Sequence, residues 1–97
     1  QKEPKGIAHA IKISKKFIGN SPVALVLGDN FLFGKDIENL LHRANNNTNN
    51  ATIFLKEVNN ANSYGVAVFK NNSKKLDRII EKPKNKISNY AVTGIYF

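Results

Sequence analysis

Three short stretches hold residue types suited to chemistry. The first is Asp29, which follows the apolar run Val23-Ala24-Leu25-Val26-Leu27 across one glycine, Gly28. Open α/β sheets bind ligands outside the carboxyl ends of their strands. A carboxylate there suits Mg2+, a hard ion that takes one or two carboxylates and fills its shell with water and phosphate oxygens. Equally, Asp29-Asn30 reads as a plain turn. The second stretch is Glu81-Lys82-Pro83, directly after Ile79-Ile80. Strand alternation sends Glu81 and Lys82 to opposite faces unless Pro83 forces a twist. A Lys ammonium is a compact charge able to hold a phosphate; the alternative is an exposed strand end closed by an ordinary salt bridge. The third is Tyr64-Gly65 before Val66, where glycine marks either close approach of a ligand to the backbone or a turn.

Other chemistries lack their residues. The chain has no Cys, which removes thiolate nucleophiles, disulfides and thiolate metal sites. No Gly-x-Ser-x-Gly or Ser-x-x-Lys pattern occurs. His9 and His42 have no metal-ligand spacing, and His42 falls on the polar side of its helix. There is no Gly-rich phosphate loop of the Walker or dinucleotide type.

The elements that must position these residues follow from periodicity. Residues 6–17 read as a helix, with Ile7, Ala10, Ile11, Ser14, Phe17 and Ile18 on one face, Pro4 ahead of it and Gly19-Asn20 behind. Val23 to Leu27 reads as a short strand buried on both faces, as in a parallel sheet. Asp36 caps a second helix bearing Ile37, Leu40, Leu41 and Ala44 on one side. The run 45–50 is an Asn-rich polar loop with no assigned function. Strands are predicted over 51–58, 66–69, 76–80 and 90–97, with a loop at 59–63 and a turn at 71–73. The order is α-β-α-β-β-β-β: a βαβ crossover first, then hairpin or mixed-sheet pairing.

With 97 residues, the chain makes one small domain that buries about 60–65% of its unfolded surface. Its composition, 41% hydrophobic and 23% charged, is that of a globular chain rather than a disordered one. No apolar run reaches the roughly 20 residues of a membrane span, and no secretion pattern opens the chain. The expectation is a cytoplasmic protein with no membrane partner. The sequence begins with Gln1, not Met, so it is read as lacking its natural start. A formal charge of +8 favours polyanionic partners, although scattered lysines also make an ordinary solvated surface. A nucleic-acid binder would need exposed aromatics among its basic residues. Phe17, Phe54, Phe69 and Phe97 fall instead at core-like positions, so no nucleic-acid partner is expected.

Taken together the motifs resemble the sugar nucleotidyltransferases. Leu25-Val26-Leu27-Gly28-Asp29-Asn30 is similar to that family's strand and metal site. Phe31-Leu32-Phe33-Gly34-Lys35-Asp36, Tyr64-Gly65-Val66 and Glu81-Lys82-Pro83 follow in the family's order, and the opening Gln1 to Ala8 resembles its base-recognition segment. The tail, Asn89 to Phe97, resembles the glucose-1-phosphate thymidylyltransferase branch. The resemblance implies a Rossmann-like α/β nucleotide-diphospho-sugar transferase fold, here the central part of a mixed sheet flanked by helices.

The implied reaction joins dTTP and glucose 1-phosphate into dTDP-glucose and pyrophosphate, on the way to dTDP-rhamnose and surface polysaccharide. It also implies roles. Asp29 would bind Mg2+, and Asp29 and Lys82 would act in catalysis, Lys82 on the sugar phosphate. Asn30, Gly65, Glu81 and Val92 would contact the sugar, and Gln1 and Gly6 the nucleotide base. The parent would be a homo-oligomer. The family's Gly-rich loop and its second metal-binding Asp would lie outside these residues, so that 1–97 is a partial domain, inactive alone. The alternatives are a UTP- or ATP-using relative, or a fragment that binds sugar phosphate or nucleotide without catalysis.

Overall fold

A computed structural model describes residues 3, 5–70 and 73–97. The elements run α1 (Ile7–Ile13), α2 (Lys15–Ile18), β1 (Leu25–Val26), α3 (Ile37–Asn46), β2 (Ile53–Glu57), a 3-10 turn (Ala61–Ser63), β3 (Gly65–Phe69), β4 (Leu76–Glu81) and β5 (Tyr90–Tyr96). Helices and strands combine in an α/β chain, with a five-stranded sheet built around β5.

The two edges of β5 are used differently. Tyr96 pairs with both Leu25 of β1 and Ile53 of β2, so these strands lie on opposite edges. Ala91 pairs with both Lys56 of β2 and Val66 of β3, so β3 lies on the edge that β1 occupies. β1 covers the carboxyl end of that edge and β3 the amino end, running in the same direction with a gap between them. β4 then pairs with β3 as a hairpin, Gly65 opposite Glu81 and Ala67 opposite Ile79.

All of these pairings are antiparallel. The expected β1–α3–β2 crossover is present in split form: β1 and β2 run parallel to each other, with β5 between them. The predicted burial of β1 on both faces is corrected. Val23 is 45% and Val26 54% exposed, because β1 pairs only with Ile95 and Tyr96 at the end of β5.

The core is small and central. Val66 and Ala67 are fully buried, and Ala91 and Ile95 nearly so. Ala61, Val66 and Ala91 form a cluster with Val58 against it. Two hydroxyls pin the sheet where backbone bonds run out: Ser88 Oγ donates to the Ala67 carbonyl at 2.6 Å and Thr93 Oγ1 to that of Phe54 at 3.0 Å.

The helices depart from expectation in detail. The single predicted helix is two, broken at Ser14, whose N–H donates to the Ala10 carbonyl at 3.1 Å. Gly19, with φ 60°, stops α2 in a conformation that glycine adopts without strain. The apolar face of this pair is not covered by any described element: Phe17 is 94% exposed, which corrects its reading as a core residue. Phe54, Phe69 and Phe97 are part-buried as expected, with Phe54 against Phe97 and Phe69 edge-on to Tyr90. Asp36 does stand at the N-cap of α3, but its side chain makes no capping hydrogen bond. Ala44 is the residue that α3 buries.

Candidate active-site cleft

The gap between β1 and β3 is the floor of a cleft of about 540 Å3. Each wall is built by a strand end. After β1 the chain turns at Leu27–Asn30, closed by the Asn30 N–H donating to the Leu27 carbonyl at 3.1 Å. The Asn30 side-chain amide donates to the same carbonyl at 3.3 Å. Asp29 stands exposed at the corner. Asp29-Asn30 is the turn expected in one reading of the sequence, and this turn is also the rim of the cleft.

The turn is held against β5 by the Leu27 N–H, which donates to the Gly94 carbonyl at 3.1 Å. Gly94 has φ 81°. A Cβ there would stand 2.7 Å from Leu27 Cδ1 and 3.0 Å from Asn30 Nδ2, distances no side chain tolerates without displacement. Gly94 carried no assigned role in the sequence, although a glycine inside a strand is a known sign of close backbone approach.

The facing wall comes from the β3–β4 hairpin. Gly65 opens β3 directly opposite Glu81. A Cβ on Gly65 would lie 3.2 Å from Glu81 Oε2, 3.4 Å from Ile79 Cγ2 and 3.7 Å from Val92 Cβ. The Glu81 carboxylate thus lies over a patch of bare backbone beside Val92. Lys82 follows with φ 41°, its N–H donating to the Tyr64 carbonyl at 3.0 Å. This left-handed residue cancels the strand alternation, and Glu81 and Lys82 both line the cleft. The salt-bridge alternative for this strand end is not what the structure has: among the described residues neither Glu81 nor Lys82 forms an ion pair.

Asp29, Asn30, Gly65, Glu81, Lys82 and Val92 thus line one cleft. Gly6 does not; its neighbour Ile7 does, while Gly6 itself starts α1 with φ 81°. Gln1 lies outside the described residues. The cleft also takes in Lys56 and Thr93, which the sequence did not single out. Lys56 is one of many lysines, and nothing in its neighbours distinguished it. Among the described residues no three His, Cys, Asp or Glu side chains gather as a metal cage. A separate cleft of about 370 Å3, lined by Asn45, Asn47, Asn49, Val23 and Phe97 among others, contains no ionisable side chain. No described helix is long and apolar enough to cross a membrane.

Comparison with known proteins places the chain among relatives of one family. The nucleotidyl transferase family profile matches residues 1–97. Over all 97 residues the chain is 45% identical to a glucose-1-phosphate thymidylyltransferase of Xanthomonas campestris pv. campestris (strain B100), covering 32% of that protein. It is 42% identical to one from Neisseria meningitidis serogroup A, covering 33%. The chain therefore spans about a third of the length of these curated relatives. Among solved structures, a Bacillus anthracis protein assigned as a glucose-1-phosphate thymidylyltransferase, crystallised with sucrose, superposes with a TM-score of 0.77 at 40% identity, over 94% of this chain and 36% of that one. The UTP-bound UGPase of Acinetobacter baumannii shares the fold, with a TM-score of 0.74 at 24% identity over 97% of this chain and 37% of that one.

Proposed function

The chain belongs to the nucleotidyl transferase family, and from that premise we propose that the whole protein transfers the nucleotidyl group of dTTP to glucose 1-phosphate, giving dTDP-glucose and pyrophosphate. One observation carries the reading. Asp29, Asn30, Gly65, Glu81, Lys82 and Val92, scattered along the sequence, converge on one cleft in a chain whose relatives bear that activity's name.

Each residue suits its part. The second pKa of a sugar phosphate is about 6, so at neutral pH its oxygens are already deprotonated and no residue here must act as a base. A sugar-phosphate oxygen attacks the α-phosphorus of dTTP. The new O–P bond forms as the bond from that phosphorus to the bridging oxygen breaks, and pyrophosphate leaves with the electron pair. Positioning and charge neutralisation are then most of catalysis. Lys82 holds the sugar phosphate through its ammonium. The Glu81 carboxylate accepts hydrogen bonds from sugar hydroxyls, and the Asn30 amide offers both donor and acceptor. Gly65, without a side chain, lets the sugar ring approach the backbone beside Val92. Gln1 and Gly6 are assigned to the base.

Asp29 is a hard oxygen donor on the rim, and among the described residues it belongs to no group of three or more potential metal ligands. That donor set fits Mg2+ shared with substrate phosphates and water, and it does not fit a closed structural site. When bound, the ion would neutralise charge on the transferring phosphoryl oxygens. Such an enzyme supplies activated glucose for dTDP-rhamnose and surface polysaccharide, works in the cytoplasm and assembles as a homo-oligomer; these belong to the same reading.

The test is pyrophosphate release by the whole protein with glucose 1-phosphate, Mg2+ and dTTP, UTP or ATP in turn. The expected outcome is release that requires glucose 1-phosphate and is fastest with dTTP. A clear preference for UTP or ATP, or release indifferent to the sugar phosphate, overturns the assignment.

A further inference from the structure

We propose that Lys56 is a second binding cation of the cleft, placed on the sugar-phosphate side, where it makes the site positive towards a dianionic sugar phosphate. The proposal rests on the reading of Glu81 and Lys82 as the sugar and phosphate contacts.

The starting point is strand direction. β1 and β2 run parallel with β5 between them, so their carboxyl ends point the same way. Ligands of open α/β sheets bind outside such ends. Asp29 follows the carboxyl end of β1, and Lys56 is the last but one residue of β2. Both line the cleft.

Register puts Lys56 at the sugar end of the cleft rather than at the Asp29 end. Ala91 of β5 has Lys56 opposite it on one edge and Val66 of β3 on the other. β1 pairs further along β5, with Ile95 and Tyr96. Lys56 therefore stands level with the hairpin that carries Gly65, Glu81 and Lys82. Its neighbour Leu55 is opposite Val92. One strand spacing, about 4.8 Å, separates β2 from β5, a distance that a flexible four-carbon stem covers.

Charge gives Lys56 its task. A sugar phosphate at neutral pH carries close to two negative charges. The hairpin wall offers Glu81 and Lys82, whose formal charges cancel, and the Glu81 carboxylate repels the same anion that Lys82 attracts. Lys56 makes this end of the cleft net positive. It is exposed, and among the described residues it makes no ion pair, so no carboxylate of the fold neutralises it.

Kinetics of the whole protein test this. Lys56→Met keeps the length of the stem and removes the charge. Its KM for glucose 1-phosphate is expected to rise about three- to tenfold, the effect of one partly screened charge. The KM for dTTP and the melting temperature should not move. Salt weakens an attraction between exposed charges, so the sugar-phosphate KM should climb less steeply with ionic strength in Lys56→Met than in the wild type. Lys56→Arg keeps the charge and should restore much of the KM and of the salt slope. A lysine that served the fold alone would not separate the two substrates in this way.

An unchanged sugar-phosphate KM in Lys56→Met overturns the proposal. So does a dTTP KM that rises in step, or a Lys56→Arg variant no better than Lys56→Met. Lys82→Ala is the reference. If it impairs glucose 1-phosphate use and Lys56→Met does not, the reading of Lys82 survives and the proposal fails. If neither has an effect, both fall. Should Lys56→Met not fold, Lys56→Gln takes its place with the same expectations.

Discussion

Gly94→Ala offers the sharpest test of how the cleft is built. The substitution adds one methyl group at a residue with φ 81°. Placing an L-residue in left-handed backbone costs roughly 1–2 kcal/mol. The new Cβ would also stand 2.7 Å from Leu27 Cδ1 and 3.0 Å from Leu27 Cγ. The first contact is with the end of a side chain that can turn away; the second is nearer its root, and driving Leu27 off its rotamer costs about 0.5–1.5 kcal/mol. Against this, alanine lowers the entropy of the unfolded chain, a gain of about 0.4–1 kcal/mol. A net loss of about 1–3 kcal/mol follows, and for a protein of a few hundred residues that is a fall in Tm of roughly 2–8 °C. The third contact, 3.0 Å to Asn30 Nδ2, adds a functional effect. It displaces the amide assigned to the sugar, so the KM for glucose 1-phosphate should rise with the loss of stability. Gly28→Ala is the control, since a Cβ there meets nothing within 4 Å and should change stability by less than about 0.5 kcal/mol. Melting curves and steady-state kinetics of the whole protein decide it. Gly94→Ala melting alongside Gly28→Ala, with unchanged sugar-phosphate kinetics, would refute the packing argument.

Three further outcomes are expected. Asp29→Asn keeps the shape of an exposed turn residue and removes the charge a hard cation needs, so melting should be unchanged and turnover largely lost; near-normal activity at limiting Mg2+ rejects the metal role. Lys82→Ala removes a charge-assisted hydrogen bond of about 1.5–3 kcal/mol, which is roughly 10- to 150-fold in sugar-phosphate affinity, and Gly65→Val should obstruct the same substrate by bulk. Titrations that show dTTP affinity falling as far as sugar-phosphate affinity contradict both. The chain of residues 1–97, expressed alone, should show no transferase turnover and should self-associate, because Phe17, Phe31 and Phe33 are each about nine-tenths exposed and such apolar surface promotes association; saturable turnover by a monomer in light scattering contradicts that.

Much of the fold was legible from short-range pattern. The strands around Phe54, Val66, Ile79 and Ile95 and the helix over Ile37 to Ala44 follow from β-branched runs and helical spacing, and the structure has them within a few residues. The failures share one origin. Phe17 and Val26 were read as buried because apolar residues at regular spacing imply a partner surface, and periodicity shows which face is apolar without showing what covers it. The break at Ser14 has the same character, since one apolar period spans both short helices.

For the cleft, the sequence by itself determined the chemical inventory: one carboxylate after an apolar strand, an adjacent Glu and Lys before a proline, and a glycine at a strand start. It also showed that residues 1–97 bring no thiol to the cleft. Local composition suffices for these conclusions because residue type fixes charge and reactivity. Tertiary structure alone decided that β1 and β3 meet the same edge of β5, because pairing depends on contacts between residues far apart in sequence. It decided that Gly94 is the hinge of the arrangement, since only the approach of Leu27 and Asn30 makes its missing Cβ matter. It also decided that Lys82 faces the same way as Glu81. Strand periodicity alone sends the two to opposite faces, and the departure occurs at a single backbone angle, φ 41° at Lys82.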